Sequence, residues 1–355
     1  MPPATLPKGK RVTLKDLAAH LDLSIATVSR ALSGSPQADA LAVETRQRVE
    51  EAARQLNYRP NALARSLQGK RTFSIGVLVP EISEGYTAGL MSGIEVQLSE
   101  RGYRYQMVSH HSKAALLDEA LDMMLGRGVE GFILIAVTLQ HALPVPAVVL
   151  SGTAGDDEHA DRVMLDHDRA AELTLDHLHD LGHRRIAFFR GHEGNVDAGE
   201  RWRAICEAAT RHDLAIDSEL TLTLRGAAYG ETFTAEGGYR EGYRYGQKLL
   251  ETGRRFTALF AFNDISAIGA MRAFQDAGLD VPGDVSVVGF DDIQSAAYHR
   301  PSLTTVRQPL RRMGETSSRL LLDRLAATQH GAFQQVVLEP DLVVRDSTGP
   351  AKAST

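Results

Sequence analysis

From Phe73 onward, short runs of almost unbroken apolar residues alternate with longer stretches of helical periodicity, and few architectures accept that pattern. The runs are "SIGVLVP", "YRYQMVS", "GFILIAV", "AVVLS", "RIAFFRG", "ALFAFND" and "VSVVGFDD". A strand with one wet face alternates apolar and polar residues; a nearly continuous apolar strand must be covered on both faces. Such strands, separated by amphipathic helices, predict an α/β protein built on parallel sheets with helices on either side. At 355 residues the chain exceeds a single core, and two sets of runs predict two doubly wound lobes.

Charge separates this body from what precedes it. Residues 1–71 carry 12 Lys+Arg against 6 Asp+Glu, whereas residues 72–355 carry 27 against 39. A compact basic module on an acidic body is the footprint of a nucleic-acid partner. The single cysteine, Cys206, excludes an intramolecular disulfide framework and fits a reducing cytoplasm. The opening "MPPATLPKGKRV" lacks the apolar segment of a secretory signal, and no run of about 18 apolar residues predicts a membrane span.

Within the basic module, "VTLKDLAAHLDLSIATVSRALSG" places Leu14, Leu17, Ala18 and Leu21 at helical spacing behind Thr13, an N-cap candidate with Asp16 three positions on. The pattern restarts at Ser24, a second cap, with Val28, Ala31 and Leu32 on one face and Thr27, Ser29 and Arg30 expected on the exposed face. Two short helices joined by so tight a turn predict a helix-turn-helix. A third helix over about 43–56 supplies Val49, Ala52, Ala53 and Leu56 to a shared core. The following "RPNALARSLQGKR" reads as a two-turn helix between Pro60 and Gly69, with Leu63 and Leu67 on one face and a basic flank of Arg65, Lys70 and Arg71. So short a helix is marginal alone. Something outside the segment must complete it.

With these residues in view, the chain resembles the LacI/GalR family of bacterial transcription regulators. The resemblance runs through "VTLKDLAAHLDLSIATVSRALSG" and "RQRVEEAARQLNYRPNALARSLQGKRT" and nearly all that follows. It implies a helix-turn-helix DNA-binding domain over 1–59, a hinge helix and linker over 60–71, an effector-binding and dimerisation domain over 72–347, and a tail over 348–355. It also implies that the second helix enters the major groove. Arg30 would read guanine, Ile25 and Ala26 would make apolar contacts, and Thr27 and Ser29 would face phosphates. The caps Thr13 and Ser24 are grouped with these as DNA-contact candidates. One departure is Asp22, where the family usually has glycine; aspartate tolerates left-handed geometry, so no disruption is expected. In the hinge, Leu67 matches the leucine that wedges between base pairs of the minor groove, and Asn61 and Ala64 match further contacts. The hinge pairs with a second copy over double-stranded operator DNA, which implies a homodimer.

The same resemblance implies a periplasmic-binding-protein architecture with discontinuous lobes, about 72–166 with 308–337 and about 167–307 with 338–347. Ligands in open α/β sheets bind beyond the carboxyl ends of strands, where Tyr86, Asp166, Arg201, Asn263, Asp264, Asp291 and Asp292 stand. An Asp or Asn there is also a common helix cap. By resemblance Arg201, Asn263 and Asp291 are effector contacts and Phe233 the aromatic that stacks on the ligand, while Asn195 and Asp197 in a variable loop tune specificity. An aromatic face, an arginine and a carboxylate suit a sugar, and would also suit a purine. The loop "EISEGYTAG" departs from the family's Asn-Pro-Phe-Phe, leaving contacts from Glu84 to Thr87 open.

No G-x-S-x-G elbow, P-loop or dinucleotide G-x-G-x-x-G appears, so no enzyme and no cofactor is predicted. His179 and His183 in "HLHDLGH" are four apart, but Gly182 should end the helix between them, so no metal site is predicted. The reading is a sequence-specific DNA-binding regulator, a repressor, controlled by a small effector, cytoplasmic and without membrane contact. The alternative is a solute-binding sensor with no DNA-binding role.

Overall fold

The computed structural model describes residues 12–32, 41–58, 71–82, 85–151, 159–192, 196–224, 235–327 and 331–352. The chain divides into two compact units, Met1–Thr72 and Phe73–Thr355.

In the first unit three helices, α1 (Leu14–Leu21), α2 (Ile25–Ala31) and α3 (Val43–Gln55), surround a small core. Thr13 and Asp16 form a reciprocal capping box on α1: the Asp16 amide donates to Thr13 Oγ1 at 3.3 Å and the Thr13 amide to Asp16 Oδ2 at 2.9 Å. Asp22 ends α1 in the left-handed region, φ 54°, as its tolerance of that geometry predicts. The tight turn then delivers Ser24, whose Oγ accepts from the Thr27 amide at 3.0 Å and caps α2. Leu17, Val28 and Val49 contribute one fully buried side chain from each helix, each stabilising the unit by roughly 1.5–3 kcal/mol.

The second unit holds two six-stranded sheets. The first contains β1 (Ser74–Val79), β2 (Arg104–Ser109), β3 (Gly131–Ile135), β4 (Ala147–Leu150), β5 (Asp161–Leu165) and β11 (Gln335–Leu338), in the order β11-β5-β4-β3-β1-β2, all parallel. The second contains β6 (Ile186–Arg190), β7 (Thr221–Thr223), β8 (Ala258–Phe260), β9 (Ser286–Asp291), β10 (Thr304–Arg307) and β12 (Asp341–Val343), in the order β12-β10-β9-β8-β6-β7. Here β12 runs antiparallel to β10, pairing Val306 with Leu342, so this sheet is parallel except at one edge. The central strands β3, β4, β5, β8 and β9 are buried at every position, which is why all of them but β5, which opens with Asp161 and Arg162, read as continuous apolar runs. The edges β2, β7, β11 and β12 are half-buried or exposed along most of their length.

Helices cover both sheets: α4 (Tyr86–Glu100), α5 (Ala114–Gly126), α6 (His167–Asp180), α7 (Val196–Arg211), α8 (Ala235–Glu251), α9 (Asp264–Asp276), the short α10 (Gln294–Tyr298) and α11 (Leu310–Ala326). The chain passes between sheets three times: after β5, after β10 and after β11. The returning segment is fastened by buried Asp161, whose carboxylate accepts from Nε and Nη2 of Arg324 on α11 and from the Gln334 amide at 2.7 Å. One cluster of buried side chains extends through both lobes, from Ile75 and Leu150 to Phe260 and Phe290. Residues 348–352 also pack: the Ala351 amide donates to the Leu181 carbonyl at 2.8 Å. Among the described residues no helix is long and apolar enough to cross a membrane.

Candidate functional site

In the first unit α2 presents Ile25, 48% exposed, together with exposed Ser24, Ala26 and Arg30. Thr27 and Ser29 are half-buried rather than exposed, and the Thr27 hydroxyl lies 2.8 Å from Ser24 Oγ. The cap therefore engages Thr27 through both amide and hydroxyl, and the outward face of the helix narrows to Ile25, Ala26 and Arg30. Asn61, Ala64 and Leu67 lie outside the described residues.

The second unit gathers polar groups where the strands of both sheets end. Asp291 closes β9 with φ 116°, and Asp292 follows at φ 56°, left-handed geometry that costs a non-glycine residue on the order of 1–3 kcal/mol. Neighbouring contacts hold this turn. The Ile293 amide donates to Asp264 Oδ2 at 2.8 Å, and Thr305 Oγ1 donates to Asp264 Oδ1 at 2.5 Å. A Cβ at Gly289 would overlap Asp264 Oδ1, so only glycine admits that carboxylate so close to the strand. Asp292 accepts from Arg307 Nε at 2.6 Å and Arg345 Nη2 at 2.5 Å. The two aspartates of "GFDD" thus differ: Asp292 clamps the fold, while Asp291 faces the site and, among the described residues, accepts from Gln308 Nε2 at 2.6 Å.

Asp291 is 9% exposed. Burial pushes its carboxyl up to about 7, with Asp197 adding to the rise, while the Arg201 guanidinium and the Gln308 bond pull the other way. Burial, and then the charge of Asp291, also raise Asp264 well above the ordinary carboxylate range. Arg201, on α7 and 6% exposed, donates from Nη1 to the Phe262 carbonyl at 2.6 Å. Its guanidinium carbon lies 3.5 Å from the centroid of Phe290 and 4.5 Å from that of Phe262, so two aromatic faces hold it flat. Desolvation lowers its proton affinity, opposed by Asp291, Asp197 and Tyr86.

From the other lobe Tyr86, at the start of α4, donates its hydroxyl to Ser151 Oγ at 3.1 Å. Burial and then Asp197 raise its phenol, so it stays neutral at ordinary pH. Tyr86 follows Gly85, which has φ 84° and where a Cβ would overlap the Ile293 side chain. The loop after β1 therefore touches the loop after β9, and Gly85 makes that approach possible. Beside this contact an open groove of about 780 Å³ is lined by Gly85, Asp291, Ile293, Arg307, Gln308 and Arg311, among others; it touches the site through Asp291 and is not lined by Tyr86, Asp197 or Arg201.

The structure thus brings Tyr86, Asp197, Arg201 and Asp291 together. Asn263 is half-buried and caps α9, its Oδ1 accepting from the Ser266 amide at 2.9 Å. Asp166 likewise caps α6. Asn195 and Phe233 lie outside the described residues. Three side chains in the site carried no sequence signal: Gln308, Phe262 and Phe290. His183 is not placed for metal with His179. It follows Gly182 at φ 87° and binds Thr257 Oγ1 and the Gly349 carbonyl through its two ring nitrogens, at 2.9 and 3.0 Å.

Comparison with known proteins accords with both units. Residues 13–61 match the family described as bacterial regulatory proteins, lacI family, and residues 175–348 match a periplasmic binding protein-like domain. The HTH-type transcriptional repressor PurR of Aliivibrio fischeri is 32% identical over 345 residues, which covers 94% of this chain and 98% of that protein. Among solved structures, the lac repressor dimer bound to operator and the anti-inducer ONPF superimposes with a TM-score of 0.79 at 27% identity, over 96% of this chain and all of that one. The transcriptional regulator CelR in complex with cellobiose superimposes with a TM-score of 0.68 at 30% identity, over 95% of this chain and all of that one. On the strength of the full-length match and of both domains in order, the chain belongs to the LacI family of bacterial regulatory proteins.

Proposed function

We propose that the chain represses transcription by binding operator DNA as a homodimer, and that a neutral sugar held between its lobes sets the affinity for that DNA. The observation that carries the reading is the convergence of Arg201, Asp197 and Asp291 with Tyr86 of the opposite lobe on one buried site. Asp197 and Asp291 present carboxyl oxygens that can accept from a ligand, and a polyol supplies hydroxyl donors. With Arg201 the one positively charged group among these four residues, the cluster offers an anion little attraction, which weighs against sugar acids and phosphates. The relatives support the same class: a repressor, a dimer on its operator and a regulator with cellobiose.

On the DNA side, Arg30 reads guanine while Ile25 and Ala26 contact bases, with Thr13, Ser24, Thr27 and Ser29 toward the backbone. Asn61, Ala64 and Leu67 form the hinge in the minor groove. The domain limits follow: 1–59 for DNA, 60–71 for the hinge and 72–347 for effector and dimer. The protein catalyses no reaction and works in the cytoplasm. A gel shift of the full chain against fragments of the host genome tests the reading. Retention of a few fragments carrying a palindrome supports it, while equal retention of all fragments, or of none, removes the DNA-reading role.

A further inference from the structure

We infer that His167 is a further effector contact, one that selects among sugars by hydrogen-bonding a ring hydroxyl; the inference rests on the effector site proposed above. His167 is the first residue of α6, set in place by the Asp166 cap, whose Oδ1 accepts from the Arg169 amide at 2.9 Å. It is 7% exposed, and its ring centroid stands 6.4 Å from that of Phe290, the residue before Asp291. Its Nε2 is 3.9 Å from Asp197 Oδ1, beyond hydrogen-bonding reach. Its Nδ1 is buried and, among the described residues, has no hydrogen-bond partner, and the same holds for Nε of Arg201.

Buried polar atoms in native proteins are nearly always satisfied, and leaving one bare costs as much as a lost hydrogen bond. Here two bare atoms belong to side chains packed against one ring, Phe290, at the place where Asp197 and Asp291 face the site. A neutral imidazole offers one donor and one acceptor. A sugar hydroxyl both donates and accepts, so it can pair with the bare Nδ1 in either tautomer of the ring. A site built to bind a hydroxyl rejects an analogue that lacks it, because the protein group is then left buried and unpaired.

Calorimetric titration of the full chain with D-ribose, D-xylulose, D-glucose and cellobiose tests this. The tightest binder is then repeated as its single-deoxy analogues against wild type, H167A and H167N. The expected result is a loss of about tenfold in H167A, as for one hydrogen bond of typical strength. One deoxy analogue should cost wild type a similar factor and cost H167A nothing. H167N, whose amide reaches the place of Nδ1, should recover most of the affinity and the discrimination. If the alanine variant fails to fold, the same cycle is read from H167N and H167Q. Wild-type affinity in H167A, or an equal loss for the sugar and every deoxy analogue, overturns the inference and leaves the effector site standing. If wild type binds none of the four sugars, the sugar-site reading falls and this inference with it.

Discussion

Replacing Asp291 by asparagine should make the unliganded protein more stable while weakening its effector, and the pH dependence of the gain is set by the structure. Burial holds the Asp291 carboxyl up to about 7 against an ordinary value of 3.8. At about 1.4 kcal/mol per tenfold change in proton affinity, that corresponds to about 4 kcal/mol of native-state destabilisation once the pH exceeds both values. The sign follows from proton binding. Between the two values the native state keeps a proton that the unfolded state has released, so stability falls as pH rises through that window. Asparagine carries no charge and escapes the penalty, but its amide protons also need partners, so a net gain of roughly 2–4 kcal/mol is expected above neutrality. For a domain of this size that is about 4–8 °C in Tm. Calorimetric melting of both proteins between about pH 5 and pH 8 should show the gain growing with pH and levelling off above about 7. Effector affinity should fall at least about tenfold, because a bond to a charged acceptor contributes about 1.5–3 kcal/mol. A gain independent of pH, or a loss of stability above neutrality, would refute the idea that burial opposes the ionisation of Asp291.

Arg30→Ala should weaken specific operator binding by about 1–3 kcal/mol and spare non-specific DNA, read by gel shift on cognate and scrambled duplexes, with binding falling steeply as salt rises. Leu67→Ala should reduce operator bending and affinity together, measured by fluorescence transfer across a labelled duplex; unchanged values would remove the wedge from the account. Gly85→Ala should force the loop after β1 away from Ile293 and lower effector affinity, since the new methyl meets that side chain and φ is positive. Titration at equal affinity to wild type would show that the two loops need not meet.

How much of this was legible depends on what each residue touches. The central strands announce themselves in "GFILIAV" and "VSVVGFDD" because both of their faces are buried. β7, β10, β11 and β12 escape the same reading: each has three or four residues, and threonine, glutamine or aspartate sits where one face meets water or a buried hydroxyl takes a partner. The caps at Thr13 and Ser24 were readable because capping is local. The division of labour between Asp291 and Asp292 was not, since it arises from Arg307 and Gln308, which the pairing of β10 with β9 brings alongside, and from Arg345, just after β12. Gln308 itself stands in "VRQPL", where nothing in spacing or composition marks it. The half-burial of Thr27 was likewise hidden, because it follows from the cap that Ser24 makes.

Reciprocal coupling between effector and operator is the property on which the proposed regulation depends. With an operator fragment selected from genomic DNA and the tightest-binding sugar, operator affinity is measured with and without the sugar, and sugar affinity with and without the operator. Linkage requires one factor in both directions, of about 5–150-fold for a regulator of this kind. Equal factors are expected in wild type and no coupling in Arg201→Ala, whose guanidinium lies in the proposed effector site between Phe262 and Phe290. A sugar that binds without changing operator affinity, or a coupling that survives Arg201→Ala at full strength, would contradict the proposed regulation.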